Sequence, residues 1–302
     1  MQKKIYIFFV LLIALVQVSH AQESAGFSIS PPSFEVSANP GDTIKNVVKV
    51  TNITTNPIAL ETLSKDFIAV GNEGAVELLD ENSSFSLASW VSFEVDTITL
   101  QPKQTALIDY QIKVPDNAEP GGKFASLIFR TVPPKNTEVT GATLAQEIGA
   151  LVLMRVAGDA KEYAKISEFK SDRSIYEYGP IEFTLIVKNE GSVHVRPKTN
   201  VTITNTLGKR VASISLGEKN VLPAAERKFN GLLEKKYMFG RYTATATAVY
   251  GTKNTILTDT YSFVVIPYKV VIPVAVGILL LIIAFAKGRK RLSKAIAVIL
   301  KG

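Results

Sequence analysis

Beyond His20, in an apolar leader, the chain has one histidine, His194, with Ser192 two residues before it. A Ser-His-Asp hydrolase needs an imidazole base, so His194 would have to serve, and Ser192 is too close in sequence to define a triad. Flanked by Gly191 and Arg196 in a turn or edge strand, it reads as a solvated loop histidine. No cysteine occurs among the 302 residues. That removes disulfides, thiolate nucleophiles, thiolate metal sites and a lipidated N-terminal cysteine, and one histidine makes no zinc set. Asp80-Glu81-Asn82 offers oxygens to a calcium ion, and paired carboxylates serve glycosidases. No Asp-x-Asp-x-Asp-Gly loop accompanies the run, which reads as a solvated loop. Gly121-Gly122 follows Pro120 and precedes a strand rather than a helix, so it is no phosphate cradle. The expectation is a protein that is not an enzyme and needs no cofactor, metal or small-molecule substrate.

Binding residues are easier to place. The stretch from Val70 to Trp90 carries Phe85, Leu87 and Trp90 among Ser, Asn and Glu, and aromatic anchors of this kind dominate interfaces. These three residues form the candidate contact surface. Trp90 heads Trp90-Val91-Ser92-Phe93 and also reads as a core residue, so both roles stay open for it. Pro133-Pro134-Lys135-Asn136-Thr137 reads as an exposed connection. The sequons at Asn52, Asn82 and Asn200 fit an exposed ectodomain.

The elements that position these residues are bounded by two apolar runs. Ile5 to Val16 follows Lys3 and Lys4 and precedes Ser19-His20-Ala21, the pattern of a secretory signal peptide over residues 1–21. Val270 to Ala286 would rise about 26 Å as a helix. With Tyr268 and Lys269 as an interfacial edge it spans a bilayer over residues 268–286. Lys287, Arg289, Lys290, Arg291 and Lys294 follow at once. This one-sided basic cluster puts the tail, residues 287–302, in the cytoplasm and the preceding residues outside a plasma membrane. Leu292, Ile296, Ile299 and Leu300 can share a helical face on the inner leaflet; an unstructured tail is the alternative.

Charge agrees with that topology. The formal net charge is +7, but all 27 Asp and Glu lie between Glu23 and Asp259, and nine of the 34 Lys and Arg lie in the leader, at Lys269 or in the tail. The exported part is therefore near neutral, and no basic face for nucleic acid is expected. An exported chain this size without a disulfide must rely on apolar cores, and the missing inter-sheet disulfide, common in animal cell-surface immunoglobulin domains, points to a microbial envelope.

Between the ends the chain reads as strands. Ile44, Val48 and Val50, then Leu107 to Val114, Phe183 to Val187, Val201 and Ile203, and Tyr242 to Val249 show alternation or β-branched enrichment. Turn signals such as Asn39-Pro40-Gly41-Asp42 and Tyr250-Gly251-Thr252 separate them. A faint repeat pairs Val50-Thr51-Asn52 with Val187-Lys188-Asn189. It also pairs Leu100-Gln101-Pro102-Lys103-Gln104 with Leu222-Pro223-Ala224-Ala225-Glu226, and Gly121-Gly122-Lys123-Phe124 with Phe239-Gly240-Arg241-Tyr242. The fold class is all-β: two immunoglobulin-like β-sandwich domains in tandem, residues 22–158 and 159–264, flanked by the signal peptide and one C-terminal transmembrane helix.

Pro31-Pro32, Pro40-Gly41, Val50-Thr51-Asn52, Leu100-Gln101-Pro102 and Val114-Pro115 resemble the start of immunoglobulin-like envelope domains of the pilus-chaperone type. With the whole layout added, the chain resembles the WxL-interacting proteins of bacterial cell walls. The resemblance places Trp90, Leu100-Gln101-Pro102 and Pro120-Gly121-Gly122 in the first domain and Gly240-Arg241-Tyr242 in the second. It implies a non-catalytic cell-surface protein active in adhesion or scaffolding, whose partners are membrane lipid, peptidoglycan or another surface protein. An accessory subunit or chaperone-like spacer of a membrane or export complex is the alternative.

Overall fold

Alternation of side chains decides the layers. The computed structural model describes residues 26–81, 83–132 and 145–299. The signal-peptide segment, Asn82 and the Pro133-to-Thr137 connection lie outside these. Chain contacts divide the molecule into two compact units. The first holds the described residues up to Phe67, with Leu78–Glu119 and Lys123–Ala157; the second holds Ile68–Glu77, Pro120–Gly122 and the residues from Gly158 onward.

In the first sandwich, one sheet has the order β1-β3-β8-β6, from β1 (Phe27–Ser30), β3 (Thr43–Asn52), β6 (Val91–Phe93) and β8 (Thr105–Lys113). Val48 and Val50 of β3 and Ile108, Tyr110 and Ile112 of β8 are buried, while the residues between them face solvent. This is the period of two that a half-buried strand requires. The facing sheet has the order β2-β10-β9-β4-β5, from β2 (Ser33–Ala38), β4 (Ile58–Val70), β5 (Ala75–Leu79), β9 (Gly121–Thr131) and β10 (Glu147–Val156), and β7 (Thr97–Leu100) pairs with β4. β2 runs parallel to β10, from Ser33 opposite Leu151 to Ala38 opposite Val156. Phe129, Leu60, Leu100, Leu127 and Met154 fill the space between the sheets.

The second sandwich pairs a three-stranded sheet, β11-β13-β16, with a five-stranded one, β12-β18-β17-β14-β15. Its strands are β11 (Ala164–Ser171), β12 (Ile175–Tyr176), β13 (Ile181–Asn189), β14 (Lys198–Asn205), β15 (Arg210–Glu218), β16 (Glu226–Leu233), β17 (Gly240–Tyr250) and β18 (Thr255–Val265). Phe183, Phe229 and Phe263 are fully buried, and the Phe183 and Phe263 rings stand 5.6 Å apart. Each such side chain contributes about 2–3 kcal/mol by leaving water.

The sequence repeat becomes a repeated corner. Asn52, buried at the end of β3, donates its amide to the carbonyls of Asn56 (2.8 Å), Leu100 (3.1 Å) and Gln101 (3.1 Å), and accepts from Thr54 N–H (2.8 Å). Asn189, equally buried at the end of β13, donates to Val193 O (2.7 Å) and Val221 O (2.8 Å) and accepts from Gly191 N–H (2.9 Å). The turns they clamp match as well. Gln104 N–H donates to Gln101 O and Ala225 N–H to Leu222 O, and the turn residues Lys103 and Ala224 have φ of 61° and 59°. Position i+2 of a type II turn demands positive φ, and here two residues with side chains adopt it. The sequon at Asn52 is corrected: its amide is buried and used, so a glycan has no access.

Among the described residues one α-helix follows β18, α1 (Tyr268–Ile299). Its backbone stays helical past the apolar run, through residues 287–299. The window Tyr268–Phe285 has a mean hydropathy of 2.5, and none of it is buried.

Candidate functional site

The residues first suspected of chemistry are occupied with architecture. Ser192 Oγ accepts from Lys161 N–H at 2.9 Å, bracing a turn. His194 is half-buried between Val193 and Val195, both core residues, rather than solvated. Asp80 pairs with Lys65 Nζ at 2.6 Å, and this hydrogen bond and charge hold its carboxyl below the usual range.

The stretch expected to form a contact surface is pinned from beneath by Asp66. Its buried carboxylate accepts the N–H groups of Ser83 (3.0 Å), Leu87 (3.0 Å) and Ala88 (2.9 Å). That pull drives Leu87 into the core, where it is fully buried, so Leu87 is withdrawn from the candidate surface. Phe85 is half-buried with its ring 5.9 Å from that of Phe124, and Phe85 O accepts Phe124 N–H at 2.8 Å. Trp90 closes a 3-10 turn, Ala88–Trp90, half-buried against the core, with the Lys123 ammonium 5.8 Å from its ring centre. Trp90 thus combines core packing with an accessible face. Asp66 itself escaped sequence reasoning. Its signal was a carboxylate at the head of the strand-like run Phe67-Ile68-Ala69-Val70, where an acid needs a buried partner.

A solvent-open cavity of about 490 Å³ lies at the β6–β8 edge, lined by Lys45, Phe93, Glu94, Asp109, Tyr110 and Gln111. The Tyr110 hydroxyl is buried in the core without a hydrogen-bond partner among the described residues, and burial pushes its pKa up to about 12. The edge beside the cavity is open. β3 pairs with β8 from Thr105 to Lys113, but β6 covers only Tyr110 to Ile112 on the other side. Glu94 N–H takes Asp109 O. Among the described strands none pairs with that side of Thr105 to Ile108, and Leu107 is 63% exposed.

Further exposed apolar side chains lie where α1 leaves the second sandwich. Val265 is the register partner of Gly240, and Tyr268 follows three residues later. Lys269 Nζ meets Glu177 Oε2 at 2.8 Å. Tyr237 and Phe239, between β16 and β17, project at the same end. Sequence reasoning named Phe239 only in the repeat and Tyr237 not at all, because Lys235-Lys236-Tyr237-Met238-Phe239 has no strand alternation and looks like ordinary loop.

No family model matches the chain, and no curated protein matches it. Solved structures of low similarity do. The class 5 fimbriae chaperone CfaA aligns with a TM-score of 0.44 at 13% identity, over 78% of this chain and 98% of that one. A chain of the CsuC–CsuE chaperone–tip adhesion subunit pre-assembly complex of Acinetobacter baumannii gives 0.38 at 12%, over 68% and 90%. A chain of the Salmonella enterica SafA pilin–SafB chaperone complex gives 0.35 at 13%, over 80% and 96%. These likenesses concern chain trace alone.

Proposed function

We propose that this chain is a non-catalytic, single-pass cell-envelope protein that holds two β-sandwiches outside the membrane, where they bind or scaffold other molecules. The observation that supports it most is the wholly exposed apolar surface of Tyr268–Phe285, joined to β18 by Ile266 and Pro267 alone. In water such a surface is costly, at about 25 cal/mol per Å²; in hydrocarbon it is at rest. The basic run after it directs the tail inward, and the signal-peptide pattern directs the sandwiches outward. Peptidoglycan as a ligand, and the WxL-interacting resemblance behind it, rest on sequence alone.

The open edge of β8 favours a second reading, a chaperone-like or accessory arm that accepts a strand from a partner protein. The two readings separate in one experiment. Detergent-solubilised full chain is passed over cell-wall glycan and, in parallel, used to capture solubilised envelope proteins. Retention on glycan with no protein partner supports the wall-binding form; a stoichiometric protein without glycan retention supports the arm. Protease shaving of intact cells should release a fragment holding both sandwiches, and a protected ectodomain would refute the topology.

A further inference from the structure

We infer that the β16–β17 loop is a second lipid contact, seating Tyr237 and Phe239 in the headgroup–acyl boundary beside the first turn of α1. This rests on the membrane-spanning reading of α1 and adds a docked orientation for the second sandwich.

The loop is a built platform rather than a slack connection. Met238 is buried in the core, and Tyr237 and Phe239 on either side are 74% and 69% exposed. The Tyr242 hydroxyl accepts Phe239 N–H (3.2 Å) and donates to Phe239 O (3.1 Å). Gly179 N–H donates to Lys236 O at 3.1 Å. A Cβ on Gly179 would fall 2.2 Å from Lys235 O, so the glycine is what lets the two loops approach. The Tyr178 ring stands edge-on to Tyr237 at 6.3 Å. Two large apolar side chains are thus held outward by backbone that is itself fixed.

What covers them follows from their level. Phe239 immediately precedes Gly240, whose partner Val265 lies three residues before Tyr268, the first residue of the apolar window. Tyr268 is half-exposed, and Phe285 at the window's far end is 83% exposed. These two are about 26 Å apart along a helix, close to the thickness of a hydrocarbon core. Aromatic side chains at both edges of a span form the belts that sit at headgroup depth. Tyr237 and Phe239 are at the depth of the outer belt. The flanking ammonium groups suit the same position. Lys236 lies 5.6 Å from the Tyr237 ring centre and Lys269 5.8 Å from that of Tyr268, with Lys235 exposed beside them. Such side chains lay apolar stems along the acyl boundary and put their charge among headgroup phosphates. Of the nearby acids, Glu177 is taken by Lys269, which leaves Glu234 exposed.

Tryptophan fluorescence tests this, because the chain has one native tryptophan, Trp90, in the first sandwich. Full chain carrying F239W or Y237W is reconstituted into phosphatidylethanolamine–phosphatidylglycerol vesicles containing lipids brominated at shallow acyl positions. F285W serves as the control for insertion of α1, and the unsubstituted chain gives the Trp90 baseline. The expected result is that the emission added by F239W, Y237W and F285W is mostly quenched while Trp90 is not. Quenching of F285W with unaltered F239W and Y237W emission overturns the loop contact and leaves the span standing. Absence of quenching in all three overturns the span, and the loop contact with it.

Discussion

At the residue scale, a few buried polar groups carry the architecture. Asn52 and Asn189 do the same work in the two sandwiches: each donates its buried amide to carbonyls of two separate segments and ties them to the end of its own strand. Asn52→Ala strands those carbonyls and the Thr54 N–H, and should destabilise the first sandwich by about 3 kcal/mol in urea unfolding. Tyr110 behaves differently, because its buried hydroxyl has gained nothing in exchange for hydration. Its folded pKa, raised to about 12 by burial, lies above the ordinary 10. Unfolded chains therefore release this proton first, so the Tyr110 contribution is whole below pH 10 and is lost as pH rises from 10 towards 12. Tyr110→Phe should flatten that alkaline loss in melts recorded across the window, and at neutral pH should be neutral or stabilising by up to about 1 kcal/mol. Both asparagines were visible as a sequence repeat. Asp66 and the burial of Leu87 were not, since the partners lie 17 to 22 residues apart and spacing alone cannot report a bend that brings them together.

At the element scale, the decisive features are one strand edge and one helix. β8 keeps an unpaired side because β6 is only three residues long. If that edge receives a partner strand, Leu107→Lys should abolish capture of the partner in pull-downs, since a charge on an open edge opposes strand addition. Leu107 is exposed, so melting should stay within about 0.5 kcal/mol of the parent. For α1, Leu280→Lys puts a charge near the middle of the window, at a cost of about 3 kcal/mol. The variant should shift from the pellet toward the supernatant on alkaline carbonate extraction, whereas the parent stays with the membrane. The strands were readable from alternation in β3, β8 and β17. Trp90, open to two readings in the sequence, is half-buried against the core at the end of a 3-10 turn, with the Lys123 ammonium near its ring.

At the scale of the whole molecule, function follows from what is left unsatisfied within each unit. The cores are closed and their buried amides are mostly matched. Surplus apolar surface stands on α1 and on the platform at its root, and surplus backbone valence stands on the β8 edge. On the proposed function each calls for a neighbour. Lipid suits the first, and a strand from another protein suits the second.

The sequence by itself determined the all-β class, the repeat and the apolar span, because periodicity, turn chemistry and run length are local and survive reading in one dimension. It also placed basic charge on one side of the span. Tertiary structure alone decided that Leu87 is core, that Asn52 is closed to a glycan, that β8 has a free edge and that Tyr237 and Phe239 stand at the root of α1. Each of these depends on contacts between residues far apart in the chain. Burial and exposure are properties of the neighbours that folding supplies, and no window of sequence contains them.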